Sequence, residues 1–288
     1  MSYRITTEST CDMPWDFYAN NGVTVLGLKY TLADGREFTE GSEDSLTIPE
    51  FYQYLREGGS ASTTQLNAYD FAEAVEPFLA AGEDILHVGF SGGLSGTVNS
   101  CRQAIDDLKE KYPERSVIVV DSLCASMGEG LLLTYAIRNR DAGMSLQENA
   151  AWLDENKWNI AHWFTVDDLM FLHRGGRVSK SSAVLGGLIG IKPILHVDDE
   201  GHLVMVAKKR GRKAAVVELA DRLQEGLQGE MSQPIYISHG DCAADAEALS
   251  ELLRERGATN IACAPIGTVI GSHSGPGTLA LFFLTDKR

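Results

Sequence analysis

Apolar positions along this chain follow two alternating periods. The runs YRITT (3–7), DILHVGF (84–90), SVIVVD (116–121), NIAHWFTV (159–166), IKPILHV (191–197), HLVMVAK (202–208), PIYISHG (234–240) and NIACAP (260–265) are short and rich in β-branched residues, as strands are. Between them, AYDFAEAVEPFLAAG, GTVNSCRQAIDDLKEKY and DAEALSELLRERG repeat apolar residues three and four apart, the spacing of one helix face. Strands alternating with helices predict an α/β fold with largely parallel sheets. HVDDEGHLV reads instead as the turn of an antiparallel hairpin, which an all-parallel sheet would not contain. The pattern changes around 155–180, where an aromatic-rich strand leads into DDLMFLHRGGRVSKSS. A boundary near residue 158 follows, giving two α/β domains, 1–158 and 159–288. No internal repeat or low-complexity tract interrupts either.

Composition narrows the function classes. With 44% hydrophobic and 23% charged residues, the chain is an ordinary globular protein and not a disordered one. A formal charge of −15 argues against nucleic acid as a partner, because phosphates need a basic face. It does not exclude an anionic ligand, since local groups decide that. The five cysteines (Cys11, Cys101, Cys124, Cys242, Cys263) are odd in number and widely spread, with no CxxC pair, which fits a reducing cytoplasm rather than a disulfide framework or a zinc motif. MSYRITTEST lacks the apolar core of a signal peptide, and no run reaches the length of a membrane span. The expectation is a soluble cytoplasmic protein without a transmembrane segment.

Candidate chemistry concentrates in four loops that mix glycine with small hydroxyl residues: TTEST after the first strand, STTQLN (62–67), FSGGLSGTVNS (90–100) and VIGSHSGPG (269–277). At the ends of parallel strands such loops aim amides and hydroxyls into the crevice where α/β proteins hold ligands. Taken singly, Thr63 or Ser95 reads equally well as a helix cap. VIGSHSGPG reads either as a tight turn between strands with a surface histidine, or as glycines that clear space so that a ligand can approach His273 and the neighbouring amides.

Known motif templates fail. No GxxxxGK[ST] is present, which excludes a P-loop. Gly275-Pro-Gly277-Thr-Leu-Ala280 matches a degenerate dinucleotide fingerprint, but too little chain follows to complete a βαβ unit. GLSGT resembles a nucleophile elbow with Thr97 in place of the second glycine, which leaves a Ser95/His273 hydrolase as an alternative without an identifiable acid. The seven histidines show no HExxH spacing; His87, His162 and His196 sit inside apolar strands and read as packed residues, so no metal site is expected. KKRGRK (208–213) is a local basic patch, either a solvated strand end or a docking surface.

The sequence resembles the DegV family of fatty-acid-binding proteins nearly end to end. ITTESTCDMP, STTQLN, SGGLSGTVNS, DSLCASMGEGLLL, LHRGGRVSK, GIKPIL, KKRGRKAA and GTVIGSHSGPG carry the likeness in order and spacing. Glu8 stands where aspartate is usual, Leu66 where proline is common, and Gly92 where a second serine is common. The resemblance implies two α/β domains with a lipid-binding crevice between them and one long-chain fatty acid held there. Thr63, Ser95 and His273 would bind the carboxyl group, with Gly96, Thr97 and Ser274 beside them. It further implies a non-catalytic subunit that presents its ligand to the ATP-binding subunit of a fatty acid kinase, with Arg177 at the position tied to phosphotransfer. No cofactor beyond the bound lipid is implied, and transient membrane contact is left open.

Elementary energetics agree with that expectation. A tail of ~14 methylenes leaving water contributes a gross ~11 kcal/mol at about 0.8 kcal/mol each, before the costs of association. AVLGGLIGIKPIL (183–195) offers an apolar wall whose glycines admit close approach of a tail. Two hydroxyls, a histidine and loop amides can satisfy a carboxylate without a tight arginine pair, leaving its oxygen free to attack a phosphoryl donor. A carrier of another apolar carboxylate, with no kinase, remains the second alternative.

Overall fold

The computed structural model describes residues 3–179, 190–227 and 229–286. The chain begins with β1 (Tyr3–Glu8), α1 (Trp15–Asn20), β2 (Val23–Leu26), β3 (Lys29–Leu32), β4 (Glu37–Thr39), α2 (Ile48–Arg56) and β5 (Ala61–Thr64). It continues with α3 (Ala68–Ala80), β6 (Asp84–Gly89), α4 (Thr97–Lys111), β7 (Val117–Asp121), α5 (Met127–Asp141) and α6 (Leu146–Asn156). After these come β8 (Ile160–Thr165), α7 (Leu169–Arg174), β9 (Ile191–Val197), β10 (Leu203–Arg210) and α8 (Arg212–Gly226). The last elements are β11 (Ile235–His239), α9 (Ala243–Glu255), β12 (Ile261–Pro265), α10 (Thr268–Ser274) and β13 (Leu279–Leu284).

Three sheets result. The first, ordered β2-β1-β6-β7, is wholly parallel. The chain steps from β1 to β2 on one side and returns to add β6 and β7 on the other, so β1 and β6 flank a topological switch point, where α/β sheets open a crevice. The second, β10-β9-β8-β13-β11-β12, pairs in parallel only between β11 and β12 and is otherwise antiparallel. The expectation of largely parallel sheets therefore holds for the first sheet and fails for the second. Strand-to-strand order there is set by β13, which arrives from α10 and inserts between β8 and β11 antiparallel to both. The third sheet, antiparallel β4-β3-β5, is built from segments too short and too polar to stand out in the sequence.

Strand alternation divides the core. In β13, Leu279, Leu281 and Phe283 pack under α8 and α9, while Ala280 and Phe282 face the parallel sheet. In β8, Ala161 takes the first face and Phe164 the second. Helix α5 lies between the two large sheets and is buried on nearly every side from Met127 to Ile137, Leu131, Leu132 and Leu133 being fully enclosed, while its last turn reaches the surface. One apolar cluster thus runs from Tyr3 and Ile5 through α5 to Phe282. Among the described residues no helix is long and apolar enough to cross a membrane.

Candidate functional site

A cavity of about 370 Å³ opens between the sheets, within the size range of small-molecule pockets. Three loops at the carboxyl ends of adjacent parallel strands supply one wall: Thr10 after β1, Phe90 to Ser95 after β6, and Ala125 and Ser126 after β7. The mixed sheet supplies the other through Phe164, Val197, Leu203, Ala280 and Phe282. Leu172, Val269 and Ile270 continue the apolar lining.

The polar end is assembled by three segments distant in sequence. Thr63 Oγ1 lies 2.7 Å from His273 Nε2. Thr63 is on β5, not at a helix start; Asn67, whose side chain accepts from the Asp70 amide, is the cap of α3. Ser95 does act at a helix start, since its Oγ accepts the Thr97 N–H at 3.2 Å and lies 3.0 Å from Thr97 Oγ1. It also lines the cavity, so the two readings of Ser95 are compatible. Gly96 and Thr97 are not among the lining residues; they stand behind it, Thr97 bonded to Ser95 and Gly96 pressed against Gln65, where an added Cβ would meet Oε1 at 2.4 Å.

His273 is carried by α10, whose start is fixed by two buried carboxylates. Glu40 accepts from the amides of Thr268 and Val269 and from Thr268 Oγ1, and Asp12 Oδ1 accepts from the Gly267 amide at 2.9 Å. Burial raises the pKa of both carboxyls. At the other end of α10, Gly175 abuts the imidazole: a Cβ there would sit 2.2 Å from His273 Nδ1. Desolvation, with the nearby Arg177 charge second, lowers the His273 pKa to about 4. The ring is therefore neutral at pH 7 and carries one proton. With that proton on Nε2 the ring donates to Thr63 Oγ1, and the Thr63 hydroxyl is free to donate into the cavity. Nδ1 is then an acceptor packed against Gly175, with no donor among the described residues. Ser274 Oγ is also buried without a partner among the described residues, next to His273 in the lining.

The lowered pKa has a measurable consequence. Above about pH 6.5 the ring is neutral in folded and unfolded chains alike, and no stability is lost. Between about 6.5 and about 4 the unfolded chain binds a proton that the folded one refuses, so stability falls as pH falls; the loss is complete below about 4. It amounts to roughly 3 kcal/mol. Denaturation of ligand-free protein at pH 7 and pH 4 should show a drop smaller by about that much in His273→Gln. Equal drops in the two proteins would contradict the buried neutral ring.

Arg177 is half-buried and lines the cavity. Its Nε donates to the Leu94 carbonyl at 3.1 Å and its Nη1 to the Gly175 carbonyl. No carboxylate among the described residues forms an ion pair with it. Arg177, which the resemblance ties only to phosphotransfer, lines the same cavity as His273.

Several lining residues carried no sequence assignment. Ser126, Ser238 and Thr10 are small hydroxyls at strand ends, the signal that marked Ser95; Ser238 falls in a run read as strand, Ser126 in a stretch that carries only the family likeness, and Thr10 in the TTEST loop without being singled out. Their hydroxyls are internally bonded: Ser126 Oγ to Asp12 and Ser238, and Thr10 Oγ1 to Glu129. His162, read as a packed strand residue, lines the cavity too, held against Phe282 with Gly128 making room for its ring. The stretch 183–195, expected as tunnel wall, lies outside the described residues from 183 to 189, and residues 190–195 do not line the cavity.

Fold and cavity together define an α/β protein in which two sheets enclose a largely apolar pocket, with Thr63, Ser95, His273 and the Arg177 cation among its polar lining. The chain belongs to the DegV family: the profile described as "Uncharacterised protein, DegV family COG1307" matches residues 2–286. It is 42% identical over 285 residues to the DegV domain-containing protein CPE0026 of Clostridium perfringens, covering 99% of this chain and 98% of that one. A fatty-acid-binding DegV family protein from Thermus thermophilus has the same fold, with TM-score 0.88, 30% identity, and coverage of 99% of this chain and 100% of that one. A DegV lipid-binding protein from Thermotoga maritima matches at TM-score 0.87 and 28% identity over 100% of both chains.

Proposed function

We propose that this chain binds one long-chain fatty acid in the cavity, its carboxylate at Thr63, Ser95 and His273 beside Arg177 and its tail along Phe164, Leu172 and Phe282. The observation that carries this reading is the 2.7 Å Thr63–His273 contact in a largely apolar pocket: a desolvated imidazole that, with its proton on Nε2, leaves the Thr63 hydroxyl to donate. Fatty acid binding by the Thermus thermophilus relative supports it. In this reading the chain is a cytoplasmic, non-catalytic subunit of two domains, 1–158 and 159–288, that presents the carboxylate to a separate ATP-binding kinase subunit for acyl phosphate formation. Every strand of the mixed sheet begins at or after Ile160, which supports that division. Geometry favours a binder over a Ser95/His273 hydrolase. His273 Nε2 faces Thr63, Ser95 is engaged by Thr97, and among the described residues no carboxylate orients the imidazole.

Protein purified from bacteria without added lipid should carry C14 to C18 fatty acid at about one equivalent, because tail burial opposes release. Solvent extraction and mass spectrometry measure it. Protein that is empty after purification and stays empty after incubation with palmitate would refute the reading.

A further inference from the structure

Glu8, His87 and Cys101 meet in the interior from the end of β1, the middle of β6 and the first turns of α4, at the switch point of the parallel sheet. All three are fully buried. His87 Nε2 is 3.2 Å from Glu8 Oε1 and 3.8 Å from Cys101 Sγ, and one donor atom from each of the three residues lies within 4.8 Å of the others. His87 Nδ1 is taken by Thr6 Oγ1 at 3.0 Å, which fixes the ring and turns Nε2 toward the other two. Glu8 Oε1 also accepts from the Phe90 amide at 3.4 Å, whereas Oε2 is buried and has no partner among the described residues. Sequence separations of 79 and 14 residues match no metal-binding motif, so only the fold brings these groups together.

We propose that Glu8, His87 and Cys101 hold a structural zinc(II) ion, with Glu8 bound through both oxygens. Tetrahedral zinc, with bonds of ~2.0–2.2 Å to nitrogen and oxygen and ~2.3 Å to sulfur, sets N and O about 3.4 Å apart and N and S about 3.6 Å apart. The observed separations differ from these by a few tenths of an ångström. Two carboxylate oxygens, one imidazole nitrogen and one thiolate make four donors without water, as a dry site requires, in a distorted tetrahedron because a chelating carboxylate spans a narrow angle at the metal. Carboxylate and thiolate together cancel the dication, so the occupied site is neutral where an uncompensated charge is costly. Binding replaces the Cys101 S–H bond with a zinc–sulfur bond and releases the proton to solvent. Burial alone, with Glu8 second, raises the thiol pKa; a bound dication reverses that preference. Gly89 keeps the backbone clear of the donors: a Cβ there would stand 3.1 Å from Glu8 Oε1 and 3.3 Å from His87 Nε2. The ion ties β1 and β6 to α4, the helix whose first residue supports Ser95.

The test uses the full chain, produced in cells given zinc(II), purified under reducing conditions without chelator, and analysed by plasma mass spectrometry. About one zinc per chain is expected, falling at least tenfold in Cys101→Ala and unchanged in Cys263→Ser, whose thiol is exposed. Should Cys101→Ala fail to fold, cobalt(II) supplied in place of zinc decides the matter in unaltered protein. Tetrahedral d–d bands with a thiolate charge-transfer band are expected. Unaltered protein without zinc and without those cobalt bands, or zinc retained by folded Cys101→Ala, overturns the proposal.

Discussion

Arg177→Ala is expected to slow acyl phosphate formation with the cognate ATP-binding subunit by about 10²–10³-fold, the loss typical of removing one donor that stabilises developing charge. Fatty acid affinity should change by less than about tenfold, since the carboxylate keeps the Thr63 and Ser95 hydroxyls. The guanidinium is poised for this role by what it lacks. It is held at Nε and Nη1 by two backbone carbonyls, from the Leu94 loop and from Gly175, and no described carboxylate neutralises it. Two carbonyls can orient a cation but leave its charge available to an anion. Arg177→Lys keeps the charge and loses the planar fork, so it should recover only part of the rate. Equal loss of binding and transfer, together with a lowered melting temperature, would instead mark Arg177 as a brace between the two loops.

Thr63→Val should weaken fatty acid binding by roughly 1–3 kcal/mol, about 5- to 150-fold, because the substitution keeps the side-chain shape and leaves a buried carboxylate oxygen unpaired. His273→Ala should lose a similar amount for a different reason: the imidazole fixes which way the Thr63 hydroxyl points. The two residues are in direct contact at 2.7 Å, so their effects should not add. Titration of delipidated single and double variants with palmitate measures the cycle. Strict additivity would mean that each residue reaches the carboxylate independently, contrary to the relay described above. Binding unchanged in Thr63→Val would remove that hydroxyl from the site altogether.

Hydrophobic periodicity was enough to place the strands of the two large sheets that it named, because each carries an apolar alternation or a continuous apolar run long enough to stand out, as β10 does although its positions are only half-buried and exposed. It was silent on β3, β4 and β5. Their pattern is short, and ASTT alternates only between half-buried and exposed positions. As a result Thr63 read as a residue ahead of a helix, when it is a strand residue whose side chain meets α10. The antiparallel character of the mixed sheet was equally hidden, since pairing direction depends on where β13 inserts and not on local pattern. Cavity-lining residues on glycine-rich loops were legible because glycine and hydroxyls are conspicuous between apolar runs. Ser126, Ser238 and His162 were not, for a polar residue within a buried element looks the same whether it faces packing or a cavity. Arg177 shows the converse. Its motif was conspicuous, but its place beside His273 follows from the turn after α7 folding back on Leu94, a contact 83 residues distant.

The claim on which the rest depends is that a carboxylate sits at the Thr63–His273 pair, and a crystal structure of the palmitate-loaded protein tests it most directly. The predicted result is a carboxyl group within hydrogen-bond distance of Thr63 Oγ1 and Ser95 Oγ, close to the Arg177 guanidinium, with the tail running past Phe164 and Phe282. A carboxyl group at Ser126 and Ser238 with methylenes against His273, or a ligand outside the cavity between the sheets, would contradict it.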